Sequence, residues 1–404
     1  MNYPSRVVQP MGGLVATRGN KVYLIANSKG GPGKTTTSIN LLTAIAMELF
    51  ERKLHKYGIK GEKGEKAKKI VQLLRTEKGM NAKVLEAIIF ELLLIRGIDA
   101  SAIQQLLSLP QVKDLILTPI LEEDDIEETF GEQLHALGVE DQIIETLFTA
   151  IPDLRDLVQN DTLLCEMDPQ EDASHGIGIN LEDGAKSMHD VLANRFAGIE
   201  YAVHRTPFGI DILPASVLMS ELETSLVSNQ VMRREFLLYD ALYQARGATP
   251  DDEIVQAVDR YKVIFIDPPP SLGQLSFNAT VPADGIIAIL DMGVYAYDAI
   301  DRLKARIELI RQANPALDIA GVLCNRFDAR QGFVLVAKII EDQARQEYGE
   351  KVFKTKIPYN ASILNAPLYG LPVQYYEPGL SSTKSATQAY AGLAKEFIER
   401  FGIQ

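Results

Sequence analysis

A strand, a glycine-rich loop and a helix follow one another between Lys21 and Phe50, and this order constrains the fold more than any other feature of the chain. The apolar run KVYLIAN leads into SKGGPGKTT, and the apolar residues that follow recur at helical spacing. A buried parallel strand that feeds a loop, with a helix beginning inside the loop, is the context in which phosphate-binding loops occur. The segment therefore predicts an α/β fold that binds a phosphorylated ligand.

Strand-like and helical patterns alternate from Asp161 onward. Apolar runs predict strands at Asp161–Glu166, Gly209–Leu213, Val263–Asp267, Gly285–Leu290 and Ile319–Asn325. Helical spacing predicts helices at Tyr297–Ala313, Phe333–Tyr348 and Thr383–Arg400. Alternation of this kind is typical of a doubly wound, mostly parallel sheet that is covered by helices on both faces.

Roughly 110 residues separate the first helix from the next strand, which is too many for a structureless loop in a compact domain. Their pattern is helical except at Gly58–Lys69, where GIKGEKGEKAKK predicts a flexible basic stretch. We therefore assign residues 1–50 and 160–404 to a phosphate-loop domain and residues 51–159 to a helical insertion.

The insertion contains a sequence repeat with an offset of about 41 residues. A glycine before and a proline after each helix favour two stacked helical units, and a chance likeness of two amphipathic helices is the alternative. The matched pairs are Gly97 and Gly138, Ile103 and Ile144, Leu106 and Leu147, and, after a slip of one residue, Pro110 and Pro152.

The loop residues suit the binding of a nucleoside triphosphate. Glycines let backbone N–H groups converge on phosphate oxygens, and the following helix points its positive dipole end at the same anion. Lys34 is expected to reach the β- and γ-phosphates, and the Thr35 hydroxyl is expected to bind Mg²⁺. We therefore expect a nucleoside triphosphate and Mg²⁺ as cofactors, with the nucleotide held by Gly30, Gly31, Gly33, Lys34, Thr35 and Thr36.

The sequence KGGPGKTT resembles the deviant Walker A motif of the ParA/MinD family of ATPases, which usually has Val at the position of Pro32. The resemblance implies an ATPase that closes into a nucleotide-sandwich homodimer. It also implies that Lys29 crosses to the partner's phosphates, where a cation would stabilise the transferring phosphoryl group. Sequence similar to that of the family covers residues 21–50 and 160–404 but not the insertion.

Two aspartates follow apolar runs, where the loops of an α/β sheet meet a ligand. Asp168, in LLCEMDPQEDAS, matches the family aspartate that positions the attacking water, although Glu166 stands where the family pattern has its first Asp. Asp267, in VIFIDPPPSLG, matches the Walker B acid that reaches Mg²⁺. Without the resemblance, Asp168 is also consistent with an ordinary turn and Asp267 with a loop cap.

The resemblance also implies residues that bind the adenine base and DNA. It implies that Asn325 reads the adenine edge and that Pro358 packs on the ring, and a plain strand cap is the alternative for Asn325. Arg330, in NRFDARQGF, matches a family arginine implicated in binding DNA without sequence preference. A solvated surface arginine is the alternative there.

The charge distribution limits where nucleic acid could bind. The formal net charge of −13 means that the chain as a whole repels DNA, so any contact requires a local basic patch. Residues 52–83 carry 11 Lys and Arg against three Glu, which fits either a phosphate-binding patch or a solvated linker. The stacked helices of the insertion favour a docking surface for another protein.

Targeting signals are absent from the sequence as given. It shows no secretory leader, no apolar stretch that approaches the ~18–20 residues of a membrane span, and no basic amphipathic helix at its C-terminal end. Cys165 and Cys324 lie in separate apolar runs and are expected to be buried and free. These features predict a cytoplasmic protein that does not bind membranes.

The resemblance implies a Mg-ATP-dependent dimerising switch that partitions plasmid or chromosomal DNA or positions another large cargo. It also implies a partner protein of the ParB type that stimulates hydrolysis. The alternatives are a membrane-cycling positioning protein of the MinD kind, an electron-transfer ATPase, and a synthetase that shares the fold. An electron-transfer ATPase needs paired cluster cysteines, and neither cysteine of this chain suits that role.

Overall fold

The computed structural model describes most of the chain outside the first 20 residues and the phosphate loop itself. All structural statements below concern the described residues, which are 21–27, 33–61, 64–108, 127–194, 198–228, 233–243, 256–271, 273–292, 314–328, 334–377, 385–404 and separate positions between 301 and 311.

The strands form one sheet in the order β3-β4-β2-β5-β1-β6-β7. All neighbouring strands are parallel except β3, which pairs antiparallel with β4 at the edge. The strands are β1 (Val22–Ala26), β2 (Thr162–Glu166), β3 (His204–Arg205), β4 (Ile210–Leu213), β5 (Val263–Asp267), β6 (Gly285–Asp291) and β7 (Ile319–Asn325).

Helices cover both faces of the sheet. The described helices are α1 (Lys34–Lys56), α2 (Glu65–Thr76), α3 (Ala82–Ile95), α4 (Ala100–Ser108), α5 (Glu127–Ala136), α6 (Asp141–Val158), α7 (Asp172–Gly176), α8 (Met188–Ala193), α9 (Met219–Ser228), α10 (Leu237–Tyr243), α11 (Ala257–Arg260), α12 (Gln274–Thr280), α13 (Val334–Tyr348), α14 (Ala361–Asn365), α15 (Val373–Tyr376) and α16 (Ala386–Phe401). Short 3₁₀ turns lie at Glu200–Ala202, Gly349–Lys351 and Ala366–Tyr369.

Alternate side chains of the central strand β1 enter two separate cores, because successive residues of a strand point to opposite faces. Tyr23 packs under α1 and α16, with its ring 5.0 Å from that of Phe397 between centroids. Leu24 joins the core on the other face, beneath α8 to α13. Burial on both faces explains why the strand sequences are almost continuously apolar. The doubly wound, mostly parallel sheet is confirmed.

The element boundaries depart from the sequence prediction in three places. The first helix does not end at Phe50 but continues to Lys56, so the expected domain boundary at residue 50 falls inside α1. The expected flexible stretch Gly58–Lys69 is wrong at its end, because α2 begins at Glu65. The edge strand β3 was not predicted, since two residues carry no periodicity. The helix expected at Tyr297–Ala313 lies mostly outside the described residues.

The insertion packs as part of the protein's main core. Its helices α2 to α6 bury their apolar faces in the same hydrophobic cluster as α1, α16 and one face of the sheet. Cys165 and Cys324 are buried and free, as expected. None of the helices in the described part of the chain combines the length and the apolarity needed to cross a lipid bilayer.

The two halves of the insertion share a turn. Gly97 and Gly138 both have a left-handed backbone, with φ of 89° and 80°, after α3 and α5 respectively. The Gly97 N–H donates to the Leu94 carbonyl, and the Gly138 N–H donates in the same way to the carbonyl of His135. The expected proline after each helix is wrong for Pro152, which lies inside α6. A duplicated helical unit stays a prediction.

A buried lysine joins the insertion to the sheet. The Lys53 ammonium, on the last turns of α1, lies 2.9 Å from the Asp161 carboxylate at the start of β2. It also donates to the carbonyls of Asp156 and Gln159, at 2.7 and 3.0 Å. Burial lowers the pKa of Lys53, and this effect outweighs the attraction of Asp161. Each partner nevertheless depends on the other, because removing one leaves a largely buried charge with only a longer contact, that of Asp161 with Lys262 at 3.6 Å or that of Lys53 with Asp156 at 3.8 Å.

We expect the substitution Lys53→Met to lower the free energy of unfolding by about 3 kcal/mol, because Asp161 would keep only its 3.6 Å contact with Lys262 and two carbonyls would lose their donor. Urea unfolding followed by circular dichroism measures the change. Lys56→Met is the matched control, since the Lys56 ammonium pairs with Asp156 at 3.1 Å in an exposed position. Exposed pairs contribute about 0–1 kcal/mol. Equal losses of unfolding free energy in the two variants would contradict the assignment of Lys53 as the residue that joins the insertion to the sheet.

Candidate functional site

The start of α1 lies beside the carboxyl ends of β5 and β7. Gly33 is the N-cap of α1 and has a left-handed backbone, with φ of 83°. A Cβ atom at Gly33 would lie 3.1 Å from the side-chain amide nitrogen of Asn325, at the end of β7. Glycine is therefore required here both for the backbone conformation and for the approach of Asn325. Lys29, Gly30 and Gly31 lie outside the described residues.

Asp267 ends β5 beneath the first turn of α1. Its carboxylate is 1% exposed and accepts a hydrogen bond of 3.3 Å from the Ser38 hydroxyl. The Thr35 hydroxyl also hydrogen-bonds to it. A carboxylate beside a hydroxyl offers the hard oxygen ligands that Mg²⁺ takes from a protein when phosphates and water complete its shell. The two residues predicted to bind the metal are therefore in contact.

Burial raises the pKa of Asp267 to about 7, and the neighbouring Glu166 and Asp168 carboxylates act in the same direction. The Thr35 hydrogen bond and the charge of Lys34 oppose the shift. A buried carboxylate among other acids is unfavourable in the ligand-free protein, and a bound cation would relieve it.

We expect Asp267→Asn to raise the unfolding temperature of the ligand-free protein at pH 8 by roughly 5 °C. The carboxyl pKa is about 7 when folded and ~3.9 when unfolded, so its stabilising contribution is complete below pH ~4 and is lost as the pH rises to about 7. Asparagine removes this loss. Calorimetry at pH 8 and pH 5 measures the difference, which should shrink at pH 5. A variant that is less stable than the wild type at pH 8 would contradict the prediction.

Asp168 follows β2 and is half-buried at the same edge. Its carboxylate accepts a 3.1 Å hydrogen bond from the Gln170 N–H within the turn. Burial raises its pKa, Asp172 adds to the shift, and the positive charge of Lys34 opposes it. The predicted water-positioning acid and the predicted phosphate-binding lysine therefore interact through their charges.

Glu166 has a structural importance that the sequence did not reveal. It ends β2 directly opposite Asp267 in the parallel register and is fully buried. Its carboxylate accepts hydrogen bonds from the backbone N–H groups of Ala173, Ser174 and Ala215. The sequence identified this position only as a departure from the family motif, which has Asp there.

An open pocket of about 150 Å³ lies beside the start of α1. Asn325 and Pro358 line it, as the resemblance implied for the adenine site. The sequence reasoning missed the aromatic walls of this pocket. Tyr359, which follows Pro358 directly, and Tyr390 of α16 line it together with Thr36 and Arg326. Adjacency to Pro358 could have identified Tyr359, whereas Tyr390 is brought in only by the fold.

The basic segment 52–83 is partly neutralised. Lys60, Lys68 and Lys69 are exposed. Within the described residues, five of the basic side chains pair with acids, namely Arg52 with Glu48, Lys53 with Asp161, Lys56 with Asp156, Lys66 with Glu91 and Lys83 with Glu77. Arg330 lies outside the described residues. Ion pairing reduces the charge that this segment presents to a phosphate backbone.

Comparison with known proteins agrees with this geometry. A family profile described as an AAA domain matches residues 156–319. The chromosome partitioning protein ParA of Caulobacter vibrioides is 32% identical over 239 residues, which cover 59% of this chain and 82% of the relative. The sporulation initiation inhibitor protein Soj of Bacillus subtilis is 31% identical over 235 residues, covering 58% of this chain and 85% of the relative.

Among solved structures, a cobyrinic acid a,c-diamide synthase from Mycobacterium smegmatis with bound ADP and magnesium has a TM-score of 0.51 at 18% identity, with 95% of each chain covered. At that identity the likeness concerns the fold alone. The sequence relatives are more informative, because they match above 30% identity over four-fifths of their own length. The chain therefore belongs to the ParA/MinD family of P-loop ATPases.

Proposed function

We propose that this protein is a Mg-ATP-dependent dimerising switch that takes part in partitioning DNA or in positioning another large cargo. The observation that carries the proposal is the grouping of Lys34, Thr35, Asp168 and Asp267 around the start of α1, beside the open pocket that Asn325 and Pro358 line. ATP closes two subunits face to face, and hydrolysis opens them. The function of the relatives as partitioning proteins supports the cargo.

In the proposed site each residue has one task. The N–H groups of the loop and Lys34 hold the phosphates, Thr35 and Asp267 hold Mg²⁺, and Asp168 orients the attacking water. Asn325 and Pro358 bind the adenine. A bound Mg²⁺ would neutralise negative charge on the phosphates. The solved synthase with ADP and magnesium supports the same cofactors on this fold.

The synthase also shows that this fold serves other chemistry, so fold alone does not decide the role. The match to partitioning relatives favours a switch over a synthetase. A partner protein of the ParB type would stimulate turnover. The insertion would offer a docking surface for another protein.

The proposal is tested by measuring the oligomeric state and the binding to non-specific duplex DNA with ADP and with ATP, across a salt series. Dimers with ATP, and DNA binding that needs ATP and weakens steeply with salt, are the expected result. Comparing Arg330→Glu with Lys68→Glu decides which surface contacts DNA. ATP-dependent dimers that bind no DNA at any salt concentration would overturn the DNA role, and monomers in every nucleotide state would overturn the switch.

A further inference from the structure

Glu166 binds two separate segments at the carboxyl ends of the strands. One oxygen of its carboxylate accepts from the N–H groups of Ala173 and Ser174, at 2.6 and 3.2 Å. The other accepts from the Ser174 hydroxyl and from the Ala215 N–H, the latter at 3.1 Å. Both oxygens are thus occupied by donors, which is how a protein accommodates a fully buried carboxylate.

The first of these segments carries the proposed water-positioning acid. Asp168 lies two residues after Glu166, and the chain then turns into α7, whose N–H groups bind Glu166. The second segment follows β4 and is tied to the first by the Val217 N–H, which donates to the Glu171 carboxylate at 2.8 Å. Both segments thus donate hydrogen bonds to the buried Glu166 carboxylate.

Glu166 itself does not line the pocket that holds Asn325 and Pro358. Its Cα pairs with that of Asp267 across the parallel ladder. A change at Glu166 therefore reaches the chemistry through the position of Asp168 relative to Asp267 and through the negative charge that Glu166 places beside Asp267. Supporting hydrogen bonds of this kind set the precision with which a catalytic group is held.

We propose that Glu166 is a positioning residue for ATP hydrolysis, which holds the Asp168 turn and the segment after β4 in place beside Asp267. The inference rests on the proposed role of Asp168. Both carboxylate oxygens are needed, because all four of their partners donate. Glutamine offers one acceptor oxygen and would direct its NH₂ group at two donors.

The test compares Glu166→Gln with Asp211→Asn by kcat, KM for ATP and thermal unfolding. Asp211 is the matched control, because it is also a buried carboxylate. It binds Asn160 and Tyr261, which precede β2 and β5 at the amino-terminal ends of the strands. We expect Glu166→Gln to lower kcat about 10–100-fold with KM changed less than about twofold. Asp211→Asn should lower the unfolding temperature and leave kcat nearly unchanged.

Two further variants keep the test decisive if Glu166→Gln folds poorly. Glu166→Asp retains both acceptor oxygens and should recover part of kcat. Ser174→Ala removes one donor and should lower kcat by a smaller factor than Glu166→Gln. Wild-type kcat in Glu166→Gln and Ser174→Ala, while Asp168→Asn is inactive, would overturn this inference alone. Full activity in Asp168→Asn would instead overturn the proposed role of Asp168.

Discussion

Replacing Lys29 by alanine should lower ATP turnover by about 10³-fold or more, while each subunit still binds ATP. The expected magnitude is that of a cation supplied in trans to a transferring phosphoryl group. Binding should survive, because Lys34 and the N–H groups of the helix start remain in place. Steady-state hydrolysis and binding of a fluorescent ATP analogue measure the two effects separately. Lys262 directly precedes β5, at the amino-terminal ends of the strands. Lys262→Ala is therefore the control and should keep full turnover.

A mixing experiment decides whether Lys29 acts across a dimer. Lys29→Ala and Asp168→Asn should each be inactive alone. In a mixed dimer, the Lys29→Ala subunit keeps its own Asp168 and receives Lys29 from its partner, so one of two sites is intact. Equal amounts should therefore restore about a quarter of wild-type activity, given random pairing into two-fold dimers. No recovery on mixing the two inactive variants would mean that Lys29 acts within its own subunit.

Replacing Asp168 by asparagine should lower kcat by about 10²–10⁴-fold, because an amide cannot accept the proton of the attacking water or orient it in the same way. Burial raises the pKa of Asp168, so activity should also decline on the acidic side as the carboxylate becomes protonated. A pH profile of kcat tests this second point. The acidic limb should be absent from the residual activity of the variant.

Asp172→Asn is the matched control for Asp168→Asn. Asp172 lies four residues away, is exposed, and interacts with Asp168 through its charge. Its loss should shift the acidic limb of the profile slightly to lower pH and leave the maximal kcat within about twofold, since like charges raise a carboxyl pKa. Equal losses of kcat in the two variants would show that any charge change in this turn is damaging, and would remove the case for Asp168.

The phosphate loop and the sheet could be derived from local sequence alone. Glycine, lysine and threonine in KGGPGKTT act through backbone freedom and short reach, so their meaning does not depend on distant residues. The buried strands were equally clear, because burial on both faces requires an apolar run. Asp168 and Asp267 were placed correctly at one edge, since the carboxyl ends of parallel strands meet there.

Only the tertiary structure decided how the insertion and the buried carboxylates are used. The sequence treated residues 51–159 as a separate unit, yet α1 runs through the boundary and Lys53 reaches Asp161 across more than 100 residues of chain. In the same way, the donors to Glu166 include Ala215, 49 residues away. Periodicity and propensity report only on near neighbours along the chain, whereas buried charges are compensated by whichever donors the completed fold brings within hydrogen-bonding distance.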